Sequence, residues 1–468
     1  MKITIAAQSI ALTAVALVGS ASAKQVAVDV SMAQPVLAAG EKAQTTSLKV
    51  GLTGFELPRG GEGRPPVNVA IVLDKSGSMS GAKLAHAKDA AKMAIQRLGS
   101  QDIVSIIAYD HNVEVLVPAT KISDRKAMLA AIDRIAIGGN TALFAGVAKG
   151  ADEVRKFRER ELVNRIILLS DGQANVGPKS PGALGKLGTS LAKEGIAVTT
   201  IGLGGGYKED LMFALADKSD GNHTFAESPA QLASAFDAEF GDILTVAAQE
   251  VLVKITCAPG VRPVRVLGRD AEISGQDVTV LLNQLYSKQE KYILLEVEVP
   301  GTKSGAARDI AKVDISYANM ATNTTDEISS KVAVRFSESA TEIDAETNRE
   351  VVLACAMQIA TIENEKAMLL RDQGKVEEAK TLLLGNSAYC LDVSEKWGDK
   401  EIAEFGMNNA IDADNLDGEA WRVTRKAMRA DQFKNNAQIP SRSYNSRHNE
   451  IYQNQNTKPS PKQKAEVK

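Results

Sequence analysis

Three short motifs in this chain place oxygen-bearing side chains where they could meet around one point. Asp74-Lys75-Ser76-Gly77-Ser78 directly follows the apolar run VNVAIVL, and Ser170-Asp171-Gly172 directly follows RIILL. Between them, Gly138-Gly139-Asn140-Thr141-Ala142-Leu143 opens a helical pattern. Asp74, Ser76, Ser78, Thr141 and Asp171 supply five oxygens, the donor set of a hard cation. Mg²⁺ takes such ligands in near-octahedral geometry at about 2.0 to 2.1 Å, and Mn²⁺ or Ca²⁺ would also accept them. Hydroxyls are neutral. If Ser76, Ser78 and Thr141 bind directly while the two aspartates act through water, the cation keeps much of its charge and seeks an anion from outside. An Asp or Glu of a protein partner would complete the shell, which makes the metal a device for capture.

Catalytic chemistry fits these residues less well, and no enzyme is expected. A phosphatase using Asp74 as nucleophile needs a second carboxylate two residues on, where this chain has Ser76. No Gly-x-Ser-x-Gly elbow surrounds Ser76 or Ser78. His86, His111, His223 and His448 are scattered, form no His-Glu-x-x-His motif, and read as surface or turn residues. The run Gly202-Leu203-Gly204-Gly205-Gly206 lacks the glycine spacing of a dinucleotide loop and reads as a turn. An Asp-x-Ser-x-Ser segment can also serve only to cap a helix. Two alternatives therefore stay open: a metal-independent envelope scaffold and a metal-dependent hydrolase.

The elements that must position these residues are legible as short Val/Ile/Leu runs alternating with helical stretches over 67–243. Near-continuous apolar strands separated by helices imply a mostly parallel sheet covered on both faces, a doubly wound α/β domain. In such a sheet ligands bind outside the carboxyl ends of the strands, where all three motifs fall. Alternating segments over 24–57 read as strands, and 58–66 as a Gly/Pro-rich linker. From 244 to 338, six strand-like runs point to an antiparallel β-sandwich. The first strands are too few to fold alone, so they are expected to join the later ones, leaving the α/β domain inserted into the sandwich. A helical hairpin region over 339–435 and a polar, Asn/Gln/Lys-rich tail over 436–468, expected to be disordered, complete the chain.

With 468 residues the chain can hold two or three structural units. Hydrophobic residues at 44%, charged residues at 24% and a formal charge of -3 predict neither nucleic acid nor an anionic membrane as partner. MKITIAAQSIALTAVALVGSASA has one early positive charge, a short apolar run and a small-residue end, so it reads as a signal peptide cleaved after Ala23. No later run is long enough to span a bilayer. An exported protein of the periplasm, cell surface or medium is expected, not an integral membrane protein. Cys355 and Cys390 lie almost equally far from the turn at 372–375, which would bring them face to face in a helix hairpin. They read either as a disulfide or as two buried thiols, since helix phase is not fixed by sequence.

The five positions resemble the metal-ion-dependent adhesion site of von Willebrand factor A domains, in which Asp-x-Ser-x-Ser is completed by a later Thr and a later Asp. Asp74, Ser76, Ser78, Thr141 and Asp171 match it position by position. The stretch AVTTIGLGGGYKEDLMFALADKSDGNHTFAESPAQLASAF is similar to the end of this domain in bacterial members related to the inter-alpha-trypsin inhibitor heavy chains. The resemblance covers about 67–243 and implies divalent-cation binding, adhesion and protein–protein interaction. The heavy chains' large N-terminal domain and terminal Asp-Pro-His attachment motif have no counterpart here, so inhibitor assembly and hyaluronan linkage are not carried over.

Overall fold

The structure, a computed structural model, describes residues 25–57, 64–204, 207–226 and 229–438. The expected signal peptide with its cleavage after Ala23, most of the linker and the tail from 439 onward lie outside the described residues. The chain begins with strands β1 (Ala27–Met32), β2 (Val36–Ala38) and β3 (Gln44–Thr53). An alternating region follows: β4 (Val67–Asp74), α1 (Ala82–Arg97), β5 (Ile103–Tyr109), β6 (Val113–Lys121), α2 (Arg125–Asp133), α3 (Leu143–Arg155), β7 (Val163–Ser170), α4 (Pro181–Lys193), β8 (Ala197–Leu203), α5 (Glu209–Lys218), β9 (His223–Ala226) and α6 (Pro229–Ile243). Seven strands come next: β10 (Val246–Cys257), β11 (Arg262–Leu267), β12 (Glu272–Ser274), β13 (Asp277–Tyr286), β14 (Glu290–Val299), β15 (Ala307–Asn319) and β16 (Thr324–Ser337). The last elements are α7 (Ala340–Ala345), α8 (Arg349–Asp372), α9 (Val376–Trp397), α10 (Lys400–Asp414) and α11 (Gly418–Ala437).

The α/β sheet has the order β6-β5-β4-β7-β8-β9, parallel throughout except for β6 at one edge. Every residue of β4, β5 and β7 is buried, as a strand covered on both faces requires. Alternation along β4 divides its side chains between two cores. Val69, Ile71 and Leu73 pack with α1, α2 and α6, whereas Ala70 and Val72 pack with α3, α4 and α5. The chain runs from β4 to β5 on one side and later returns to β7 on the other, so the strand order reverses at β4. This switch point opens a crevice between the carboxyl ends of β4 and β7.

The remaining strands form two facing sheets, β1-β3-β14-β11 and β12-β13-β10-β15-β16-β2. β1 and β3 are bonded into the first of these, with β3 running antiparallel to β14 from Gln44↔Val299 to Thr53↔Glu290. The α/β domain is therefore inserted into a sandwich assembled from both sides of it, as the shortage of early strands implied. Leu48, Val50 and Leu52 of one sheet meet Val251, Val253 and Ile255 of the other in a common core. Three short strands escaped the sequence reading: β2, β9 and β12, of three, four and three residues, too short to carry an apolar periodicity.

In the helical region α8 and α9 form the expected hairpin around the turn at 372–375, where Gly374 takes φ +81°. The Cys355–Cys390 disulfide does not form, and all three cysteines are buried free thiols. Helix phase is the reason. Cys355 packs with Ala33, Leu267 and Leu294 of the sandwich, whereas Cys390 packs with Ile402 and Phe405 of α10. Burial pushes the Cys390 thiol up to about 12 and that of Cys355 up to about 11, so neither is a ready thiolate. A buried cluster of amides, Asn364, Asn386, Asn409 and Gln432, ties four helices together.

Candidate metal centre

The crevice at the switch point gathers the three motifs. Asp74 is the last residue of β4, and the 74–78 loop leads into α1. Asp74 is fully buried and held by three groups: Oδ1 accepts the Ser76 N–H at 2.8 Å, and Oδ2 accepts Ser170 Oγ at 2.6 Å and the Tyr109 hydroxyl at 3.3 Å. The Ser76 and Ser78 hydroxyls stand 3.1 Å apart. Two cis ligands of an octahedral Mg²⁺ at 2.0 to 2.1 Å would be about 3 Å apart, so this pair fits adjacent corners of such a shell.

The second loop is stitched to the first by its backbone. Gly77 N–H donates to Gly139 O at 2.9 Å, and Gly138 N–H donates to Lys75 O at 2.7 Å. Thr141, buried just before α3, accepts at its carbonyl from Asn175 and Val176 N–H and gives its own N–H to Asn175 Oδ1 at 2.8 Å. Asp110, at the carboxyl end of β5, accepts the Gly139 N–H at 3.0 Å. Gly138 has no room for a side chain: a Cβ there would stand 1.9 Å from Asp110 Oδ2. Close approach, not a special φ, requires this glycine.

The third loop carries Asp171, fully buried at the end of β7. Its Oδ2 lies 3.1 Å from the ammonium of Lys83, which also donates to Ser78 O at 3.0 Å. Asp171 thus pairs with one lysine, whereas Asp74 is held by hydroxyl and N–H donors. Burial raises the Asp74 pKa, and the charge of Asp171 adds to the rise while the serine bonds oppose it. A site with this uncompensated negative charge and a pair of hydroxyls at octahedral spacing suits a divalent cation. Among the described residues no cluster of three or more His, Cys, Asp or Glu could hold a metal, so any cation here depends on hydroxyl ligands.

Sequence reasoning assigned no supporting role to the groups that hold the five residues in place: Tyr109, Asp110, Ser170, Asn175 and Lys83. Ser170 and Asp110 could have been found, because each is a polar residue at the carboxyl end of a largely apolar strand. Nothing local signals Lys83 or Asn175. His223 is not a surface residue. It is buried in β9, its Nδ1 lies 2.8 Å from Thr200 Oγ1, and burial pushes it down to about 4.

An open α/β sheet with a hydroxyl-lined crevice at its switch point defines a doubly wound class of domain. The model of the von Willebrand factor type A domain matches residues 68–238. The chain carries a domain of this family. It is similar to an uncharacterised Synechocystis protein, sll0103, at 30% identity over 276 residues, covering 57% of this chain and 65% of that one. It is also similar to inter-alpha-trypsin inhibitor heavy chain H3 of Pongo abelii, at 33% identity over 125 residues, 25% of this chain and 14% of that one. The chain thus spans less than two thirds of either relative. A solved von Willebrand factor type A structure from Catenulispora acidiphila shares the fold with a TM-score of 0.64 at 17% identity, over 79% of this chain and 87% of that one. No described helix is long and apolar enough to cross a membrane.

Proposed function

We propose that the chain is an exported adhesion or protein-interaction module that binds a divalent cation and, through it, a carboxylate of a protein partner. Ser76, Ser78 and Thr141 are the direct ligands, with Asp74 and Asp171 acting through water. Mg²⁺ is the cation this donor set suits best, with Mn²⁺ or Ca²⁺ as substitutes. The spacing of the Ser76 and Ser78 hydroxyls against two buried carboxylates carries the reading. Asp74 has its lone pairs engaged by Ser76, Ser170 and Tyr109, which leaves it better suited to orienting the loop and a water than to binding the ion directly. The same engagement argues against a nucleophile. Each of the two elements of the capture mechanism has a physical basis: neutral hydroxyls preserve the ion's charge, and the crevice opens at the strand ends, where a partner side chain can enter.

Calorimetric titration of the full chain with Mn²⁺ and Mg²⁺ tests the metal claim. Binding by the wild type and its loss in Asp74→Ala/Ser76→Ala is the expected result. Absence of wild-type binding, or undiminished binding by the double variant, overturns it. Chelator-sensitive retention of the chain on a surface of immobilised acidic peptide tests the second half. Metal-dependent turnover in a hydrolase screen would replace capture with catalysis.

A further inference from the structure

The adhesion-site motif does not call on the C-terminal helices, yet α11 reaches the same loop system. Arg425 Nη1 lies 2.7 Å from Glu209 Oε1, and its Nη2 lies 2.7 Å from Asp210 Oδ2 and from Asp372 Oδ2 of α8. Arg429 Nε stands 3.1 Å from Asp210 Oδ1. Lys426 Nζ donates to Glu209 Oε2 and to the Tyr207 carbonyl, both at 2.8 Å, and sits 4.3 Å over the Tyr207 ring. Below these ions, Phe433 packs edge-on to Phe213 of α5 and to His223 of β9. All three basic side chains are only 15 to 16% exposed, so solvent screens these pairs less than it does pairs on an open surface.

The segment so gripped, 207–210, is one bond from the candidate metal centre. Lys208 N–H donates to the Asp171 carbonyl at 3.1 Å. Behind it, Gly172 takes φ +66° and leaves no slack: a Cβ there would stand 3.1 Å from both Lys208 N and Lys208 O. The carbonyl of Asp171 and the start of α5 are therefore fixed against each other, and α11 fixes the start of α5.

We infer that Arg425, Lys426 and Arg429 are positioning residues of the metal centre, holding segment 207–210 and through it Asp171, so that cation binding and the docking of α11 are linked. The inference rests on the cation reading of the site. Linkage is reciprocal: whatever α11 contributes to the affinity for the ion, the ion returns to the docking of α11.

Two measurements on the full chain test this. In Mn²⁺ titrations, Arg425→Ala/Arg429→Ala and Lys426→Met should bind about 5- to 20-fold more weakly. Lys426→Arg should keep near wild-type affinity, and so should Lys434→Ala, which removes a cation of the same helix that pairs with Glu401 of α10. Hydrogen exchange of the unaltered chain gives the reciprocal readout and needs no variant to fold. Addition of Mn²⁺ should slow exchange across α11 in the wild type and not in Asp171→Ala. Unchanged affinity in the α11 variants, or exchange of α11 indifferent to Mn²⁺ in a chain that binds it, overturns the inference. A wild type that binds no cation fails the reading of the site itself, and that failure is recognised before any α11 variant is compared.

Discussion

Asp74 matters more for what it accepts than for its charge. With Ser76 N–H, Ser170 Oγ and the Tyr109 hydroxyl aimed at it, the carboxylate is the fixed point around which the serine loop turns. Ser170 is the shortest of these bonds and also accepts the Gly172 N–H at 2.8 Å, so it links the first loop to the third. Ser170→Ala should lower Mn²⁺ affinity about tenfold, corresponding to ~1.4 kcal/mol, and stability by ~1 kcal/mol. Calorimetry and denaturant melts read the two effects separately, and unchanged affinity would remove Ser170 from the site's support. Gly138 offers a second test, through its close approach to Asp110. Gly138→Ala should weaken Mn²⁺ binding strongly in the wild type and much less in an Asp110→Ala background. Additive losses in that double-mutant cycle would show that the overlap is relieved some other way. The five candidate ligands were legible in the sequence because each sits in a short polar motif that closes an apolar run or, for Thr141, opens a helix. Their supports were not, because Lys83 and Asn175 reach the site only through the folded geometry.

At the scale of elements, the central strands of the α/β sheet were legible because burial on both faces leaves near-continuous apolar runs such as VAIVL of β4. β12 was not, since a three-residue exposed edge strand carries no pattern. The helix hairpin was legible from its turn, but its phase was not, and the Cys355–Cys390 pairing failed on phase alone. A heptad-like apolar stripe would have fixed it. These helices instead bury polar residues on their contact faces. Asn409, fully buried in α10, accepts from Asn364 at 2.9 Å and from Asn386 at 3.0 Å and donates to the Phe405 carbonyl at 2.7 Å. Such a cluster rewards one register, because any slip strands amides away from water. Asn409→Ala would leave two buried donors without their acceptor, and the expected destabilisation is about 2 to 4 kcal/mol. Differential scanning calorimetry of the variant decides it. A shift smaller than that of an exposed control such as Lys400→Ala would mean that water replaces the amide without loss.

At the scale of the whole molecule, the end of the α/β domain remote from the candidate metal centre is fastened to the sandwich by a buried polar junction. Arg165 of β7, fully buried, bonds the Tyr286 hydroxyl of β13, and its Nε lies 3.5 Å from Glu239 of α6. Glu239 also accepts from Thr199 and from Asn222. One turn further, Asp242 has only long contacts, 3.5 Å to Asn222 Nδ2 and 3.4 Å to Gln289 Nε2. Burial, reinforced by the charge of Glu239 and opposed by Arg165, pushes Asp242 up to about 7 from an ordinary 3.8. The folded chain therefore holds a proton here that the unfolded chain releases at much lower pH. Between about pH 4 and 7 the native state binds more protons than the unfolded state, so this group's contribution to stability falls as pH rises and levels off above 7. Asp217 and Glu365, also raised by burial, act in the same sense, and Glu209, Asp210 and Asp220, lowered by their cationic neighbours against burial, act in the opposite one. The wild type alone thus cannot isolate Asp242, but its difference from Asp242→Asn can. That variant should be more stable than the wild type at pH 8, by on the order of 1 to 2 kcal/mol, and the advantage should shrink steadily toward pH 4. Paired urea melts at four pH values measure this, and an advantage that does not change with pH would show that Asp242 is ionised in the folded chain.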